Sequence, residues 1–138
     1  MLLDQLGRLL RQLTRLTGGA DDGPPVTASQ RIALVELGEE GPLRLSDLAQ
    51  RMGTSTPTAS RAVDVLERLG LVSRAPEAAD RRALSIELTP AGRTLLDERL
   101  ARAARAFESA TASLAPDERR QLLALLRRMT DALSRPRA

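Results

Sequence analysis

Residues 45–70 read LSDLAQRMGTSTPTASRAVDVLERLG, and the punctuation of this stretch decides the fold. Leu48, Ala49 and Met52 fall on one face of a helix of about two turns, which Gly53 stops. Ser46 is its expected N-cap. The turn Gly53-Thr54-Ser55 runs straight into a second, longer helix. Ser55 or Thr56 can cap it, Pro57 suits its first position and Gly70 ends it. Ala59, Val63 and Leu66 give this helix an inward stripe, flanked by Ala62 and Leu69. A short helix, a tight turn containing Gly and a longer helix make a helix-turn-helix.

Beyond Gly70 the hydrophobic period changes. Residues 71–75, LVSRA, and 83–88, ALSIEL, are short strand-like runs, and in the second Leu84, Ile86 and Leu88 alternate with Ser85 and Glu87. The charged stretch PEAADRR (76–82) joins them. A hairpin directly behind the second helix is a wing, with Asp80, Arg81 and Arg82 near its tip. Thr89 and Pro90 then open a long helix as N-cap and first residue. Leu96, Leu100, Ala103, Phe107, Ala110 and Leu114 track one face of it. Pro116 starts a last helix with Asp117 and Glu118 in its first turn, where the helix dipole favours acids. Its stripe is Leu122, Leu125, Leu126, Met129 and Leu133, and SRPRA is a basic tail.

Upstream, residues 2–16 form an amphipathic helix with leucines at 2, 6, 9, 13 and 16 and with Arg8, Arg11, Gln12 and Arg15 opposite. Gly18 and Gly19 end it, and the loop GGADDGPP (18–25) comes next. Thr27 and Gln30 have capping-box spacing for a helix whose Ile32, Ala33, Leu34, Val35 and Leu37 predict central burial. The fold class expected is mainly α with a small β-wing: six helices, the hairpin lying between the fourth and the fifth.

Composition narrows the chemistry. The 138 residues carry 42% hydrophobic and 28% charged side chains, as in a single globular domain. No apolar run approaches the ~18 residues of a membrane span. Asp4 and Arg8 interrupt any signal-peptide core, so the cytoplasm is the expected location. There is no Cys and no His, and every basic residue is Arg. Thiol chemistry, the commonest metal ligand, the commonest general base and Schiff-base chemistry are all missing. No enzyme, metal site or cofactor is expected.

Three places could carry function. The face of the 56–69 helix opposite its stripe holds Pro57, Ser60, Arg61, Asp64 and Arg68, with Thr56 and Thr58 at its amino end. Small hydroxyls hold phosphates, and Arg reads a guanine edge bidentately. The bland alternative is a solvated face with a capping cluster. In the wing, Arg82 suits a narrow minor groove, and Asp80 can hold its guanidinium extended. The alternative there is a surface salt bridge worth ~0–1 kcal/mol. Asp80 as a general base is disfavoured, because a loop tip excludes no water. The terminal helices supply three apolar faces. They form either a self-contained helical subdomain or a two-fold interface that sets two recognition helices ~34 Å apart.

The sequence resembles the MarR family of bacterial transcription regulators over nearly its whole length. The family signature D-x-R-x5-L-T is present as Asp80, Arg82, Leu88 and Thr89. SRAVDVLERLGLVSR (60–74) is similar to the family's recognition helix running into the wing. The resemblance implies one domain over 1–138, with a winged core at about 27–89 and dimerisation helices at about 1–18 and 90–135. It implies a homodimer that binds a palindromic operator in double-stranded DNA. Thr56, Thr58, Ser60 and Arg61 would contact DNA from the recognition helix, and in the wing Arg82 would enter the minor groove with Asp80 steadying it, while Arg81 is expected to face solvent or a phosphate. A small-molecule effector often lowers DNA affinity in the family. Here the absence of Cys excludes the thiol-oxidising branch. With one Phe and no Trp or Tyr, a cleft lined by Leu, Ile, Val and Arg is expected, with Arg15 and Arg31 as anion contacts. The alternative function is a winged-helix protein-interaction module without DNA binding, which would present an apolar face on the 56–69 helix.

Overall fold

A computed structural model describes residues 1–17 and 23–134 of the chain. Most of the loop expected at 18–25, including Gly18 and Gly19, and the tail after Ser134 lie outside them. In chain order the elements are α1 (Leu2–Thr17), α2 (Ala28–Glu40), β1 (Leu43–Arg44), α3 (Leu45–Met52), α4 (Thr56–Arg68), β2 (Val72–Pro76), β3 (Leu84–Leu88), α5 (Pro90–Thr111) and α6 (Pro116–Ser134). Two compact units result, Met1–Ala103 and Ala104–Ala138. Among the described residues no helix is long and apolar enough to cross a membrane.

Local chemistry explains most of the boundaries. Thr27 Oγ1 accepts from the Gln30 N–H at 3.3 Å, and Gln30 Oε1 accepts from the Thr27 N–H at 2.9 Å. This reciprocal cap contributes about 1 kcal/mol to the start of α2. Ser55, rather than Thr56, caps α4: its hydroxyl oxygen accepts from the Thr58 N–H, which places Pro57 second in the helix rather than first. Gly53 closes α3 at φ 66°, a left-handed conformation that costs glycine nothing and sets the sharp turn into α4.

Ser46 does not cap α3. The cap position is Arg44, without a side-chain hydrogen bond, and the helix starts at Leu45. The reason is β1, for which the sequence carries no pattern. Leu43 and Arg44 pair antiparallel with Ile86 and Ser85 of β3, so the chain leaves a strand and enters the helix with no intervening residue. β3 is the centre of a three-stranded sheet in the order β1-β3-β2. Val72 faces Leu88 and Pro76 faces Leu84 across the hairpin.

The core gathers Leu34 and Leu37 of α2, Leu48 of α3, Val63 and Leu66 of α4, Ile86 of β3, and Leu95 and Leu96 of α5. The predicted inward stripe of α4, Ala59, Val63 and Leu66, is fully buried. One expectation needs correction: α2 is not buried all round, since Ala33, Leu34 and Leu37 are inside, whereas Ile32 is 44% exposed. In α5 Gly92, Leu95, Leu96 and Arg99 are buried; of the stripe read from the sequence only Leu96 is buried, and Leu100 and Phe107 are exposed. Leu95 and Leu96, in the first turns of α5, belong to the core. Leucines 2, 3, 9 and 10 of α1 are likewise exposed, and α6 buries no residue in the single chain.

Candidate nucleic-acid interface

α4 is held by its buried stripe, so the opposite face is fixed. Thr56 and Arg61 are exposed there, and Ser60 and Thr58 are half-buried. Thr58 is partly committed: its Oγ1 accepts from the Ser55 hydroxyl at 2.9 Å. Thr56 and Arg61 therefore offer the most available groups of the four candidates.

The wing tip is built by Asp80. Its backbone carbonyl accepts from the Ala83 N–H at 3.0 Å, and its carboxylate Oδ1 accepts from the Arg82 N–H, also at 3.0 Å. The Glu77 N–H to Ala83 carbonyl bond, 2.9 Å, closes the hairpin. This corrects one expectation. Asp80 takes the main-chain N–H of Arg82 and not its guanidinium, because an aspartate at a turn finds the amide two residues on before any long side chain. The effect is still to position Arg82, through the backbone. Arg81 and Arg82 are both exposed.

Two sets of ion pairs that sequence reasoning missed lock the wing in place. Arg74 of β2 reaches across to α4, donating Nη2 to Asp64 Oδ1 at 2.7 Å and Nη1 to Glu67 Oε2. Asp64 and Glu67 are one helical turn apart and converge on one guanidinium. The Asp64 hydrogen bond, ahead of the Glu67 charge, raises the pKa of Arg74. Arg44, just before α3, forms a two-pronged bond with Glu77, at the start of the wing's loop just beyond β2, both arms 2.7 Å. Asp64, which the sequence placed among the outward groups of α4, is thus committed to Arg74. Nothing in the sequence pairs positions 64 and 74, or 44 and 77, since only the packed hairpin brings them together. Among the described residues Arg61, Arg81 and Arg82 enter no ion pair, so their charge remains for a partner.

The Arg44 hydrogen bond holds the Glu77 carboxyl below its ordinary range. A carboxylate with a lowered folded-state pKa contributes stability that is complete above its unfolded pKa and is lost as pH falls through the folded value. Hydrogen exchange at the wing amides 72–88 is therefore expected to accelerate as pH drops below about 4.3, beyond the intrinsic trend, and Glu77→Gln is expected to abolish that component. Identical pH profiles for the two proteins would contradict the assignment.

Of the two arginines expected as anion contacts, Arg31 lines a cavity bounded by α1, α2 and α5, and Arg15 does not. Arg99, not singled out from sequence, lines it as well. A lone Arg on the apolar face of α5 was its only signal.

Known proteins resemble the chain in both sequence and structure. A model of the MarR family matches residues 25–83, from just before α2 through the wing tip. The HTH-type transcriptional repressor NicR of Pseudomonas putida is 32% identical over 133 residues, covering 94% of this chain and 84% of that protein. The solved structure of a MarR family protein from Bacillus stearothermophilus matches with a TM-score of 0.80 at 25% identity, over 97% of this chain and 96% of its own. BpsR of Bordetella bronchiseptica, described with a mechanism for regulation of its DNA binding by 6-hydroxynicotinic acid, matches with a TM-score of 0.61 at 30% identity, over 91% and 98%. With the helix-turn-helix, the wing and these similarities together, the chain belongs to the MarR family.

Proposed function

We propose that the protein is a sequence-specific, double-stranded-DNA-binding transcriptional repressor that works as a homodimer on a palindromic operator in the cytoplasm, without catalytic activity. The observation that carries this reading is the set of ion pairs of Arg74 with Asp64 and Glu67, which ties β2 of the wing to α4 while, among the described residues, Arg61, Arg81 and Arg82 stay outside any ion pair. A two-part surface with unneutralised arginines on helix and wing fits adjacent grooves of one duplex. Thr56, Thr58, Ser60 and Arg61 enter the major groove. Arg82 enters the minor groove on the turn that Asp80 organises, and Arg81 contacts a phosphate. The polar exposed face of α4 gives an apolar protein partner nothing to bury. The leucines left exposed on α1 and on α6 supply the surface of a two-fold interface, in keeping with a winged core at about 27–89 and dimerisation segments at about 1–18 and 90–135. Release of operator DNA by a small molecule in the α1–α2–α5 cavity completes the reading.

Selection of bound sequences from a random duplex pool tests it. A palindrome with half-site centres about 10–10.5 base pairs apart, or a multiple of that, is expected. Recovery of no enriched motif refutes it. In the same assay Arg61→Ala is expected to cost about 1–3 kcal/mol at one base position while changing random-duplex binding little. Equal losses on selected and random DNA would mean that Arg61 touches only phosphate.

A further inference from the structure

The loop that carries Arg82 has little to hold it. Residues 77–83 join β2 to β3, and Ala78, Ala79, Asp80, Arg81 and Arg82 are all exposed. The Glu77 N–H bond to the Ala83 carbonyl closes the loop, and Asp80 shapes its tip. Both act within the loop, so they fix its shape and not its angle to the rest of the protein. Among the described residues, one polar tie joins 77–83 to the rest of the chain, the bond between Arg44 and Glu77. Nε donates to Oε1 and Nη2 to Oε2, each at 2.7 Å.

Arg44 is placed to set that angle. It pairs with Ser85 of β3 and is the last residue before α3, so it stands where the sheet meets the helix-turn-helix. Glu77 lies only five residues before Arg82. A two-pronged bond between planar groups fixes direction as well as distance, which a single contact does not. The Glu77 hydrogen bond and charge raise the pKa of Arg44, and the charges of Asp80 at the tip and Asp47 in the first turn of α3 add to this. Wing tip and helix start thus both act on this one guanidinium. An exposed ion pair contributes little to global stability. Its effect here is on orientation. A groove contact made from a loop loses affinity for every alternative direction the loop can take before binding.

Building on the proposal that Arg82 enters the minor groove, we infer that Arg44 and Glu77 are positioning residues for DNA binding. Their bond holds the wing loop at the angle that delivers Arg82 to its groove while α4 occupies the neighbouring one, and neither side chain touches DNA.

Band-shift affinities of Arg44→Gln, Glu77→Gln and the double variant for the selected operator, each measured also in an Arg82→Ala background, test this. Both single variants are expected to bind about 3- to 10-fold more weakly than wild type, and the double variant no more weakly than either. In the Arg82→Ala background the same substitutions are expected to change nothing. Glu77→Gln gives the decisive sign. Removing a negative charge beside DNA strengthens binding by electrostatics alone, so a weaker complex requires a positional role. Glu77→Gln that binds as tightly as wild type, or tighter, overturns the inference. Losses that persist without Arg82 overturn it too, because they act through some other part of the surface. A wild-type chain that selects no operator overturns the DNA-binding reading itself, and this inference with it.

Discussion

Replacing Arg82 with alanine is expected to lower operator affinity about 10- to 100-fold, the loss of one desolvated groove contact of roughly 1.5–3 kcal/mol. The fold and the dimer are expected to survive. Asp80 bonds the main-chain N–H of residue 82, which alanine retains, and the Arg82 side chain is exposed, with no ion pair among the described residues to lose. Circular dichroism and sizing should match the wild type while band-shift affinity falls. Asp80→Ala should weaken binding by a different route, since it removes the acceptor that shapes the turn and so loosens the tip. Arg81→Ala should cost less than Arg82→Ala and act mainly on the salt dependence, as a phosphate contact does. An Arg82→Ala protein with wild-type operator affinity would place the wing outside the groove.

The second large effect is on stability. A Cβ at Gly92 would lie 1.9 Å from the Leu71 carbonyl oxygen and 2.9 Å from its carbon, both backbone atoms that cannot step aside. That carbonyl accepts the Thr89 N–H at 3.0 Å. Thr89 Oγ1 donates to the Gly70 carbonyl at 2.6 Å and accepts the Gly92 N–H at 3.1 Å. Gly92 is therefore where α5 presses on the end of the winged core. Gly92→Ala is expected to destabilise the protein by about 3 kcal/mol, read as a lower denaturation midpoint with an unchanged slope at fixed protomer concentration. Gly7→Ala makes the contrast. On α1 its new methyl meets only the far end of Arg11, at 3.4 Å. It should be neutral or stabilising by up to about 1 kcal/mol, through helix propensity. A wild-type midpoint for Gly92→Ala would show that α5 can shift off Leu71 at little cost.

Thr89 shows how far the sequence can be read. Its role as the cap of α5 was legible, because a Thr before a Pro at a strand end has a local meaning. Its bond to Gly70, nineteen residues back, was not. The same division runs through the site. Ser55, Pro57, Gly53 and Gly70 mark the helix-turn-helix by rules that operate within a few residues. The stripe Ala59-Val63-Leu66 fixes which face of α4 turns outward. Those signals placed Thr56, Ser60 and Arg61 on the outer face. By contrast, β1 has two residues, too few for an alternating pattern, and it exists only because β3 offers an edge to pair with. Its arrival displaced the expected Ser46 cap.

What the sequence determined by itself, then, is everything set by short-range capping, turn chemistry and periodicity: the order of helices, the hairpin, the outward face of α4, and a kit of arginines and hydroxyls without His, Cys or Lys. What only the tertiary structure decided is which charges remain available. Asp64 looked available on the outer face of α4 until Arg74 took it, and Arg44 is committed because the folded wing brings Glu77 to it. Arg99 became a cavity residue only when α5 packed against α2. Ion pairing and burial depend on groups distant in sequence coming within a few ångströms, and no local rule encodes that distance.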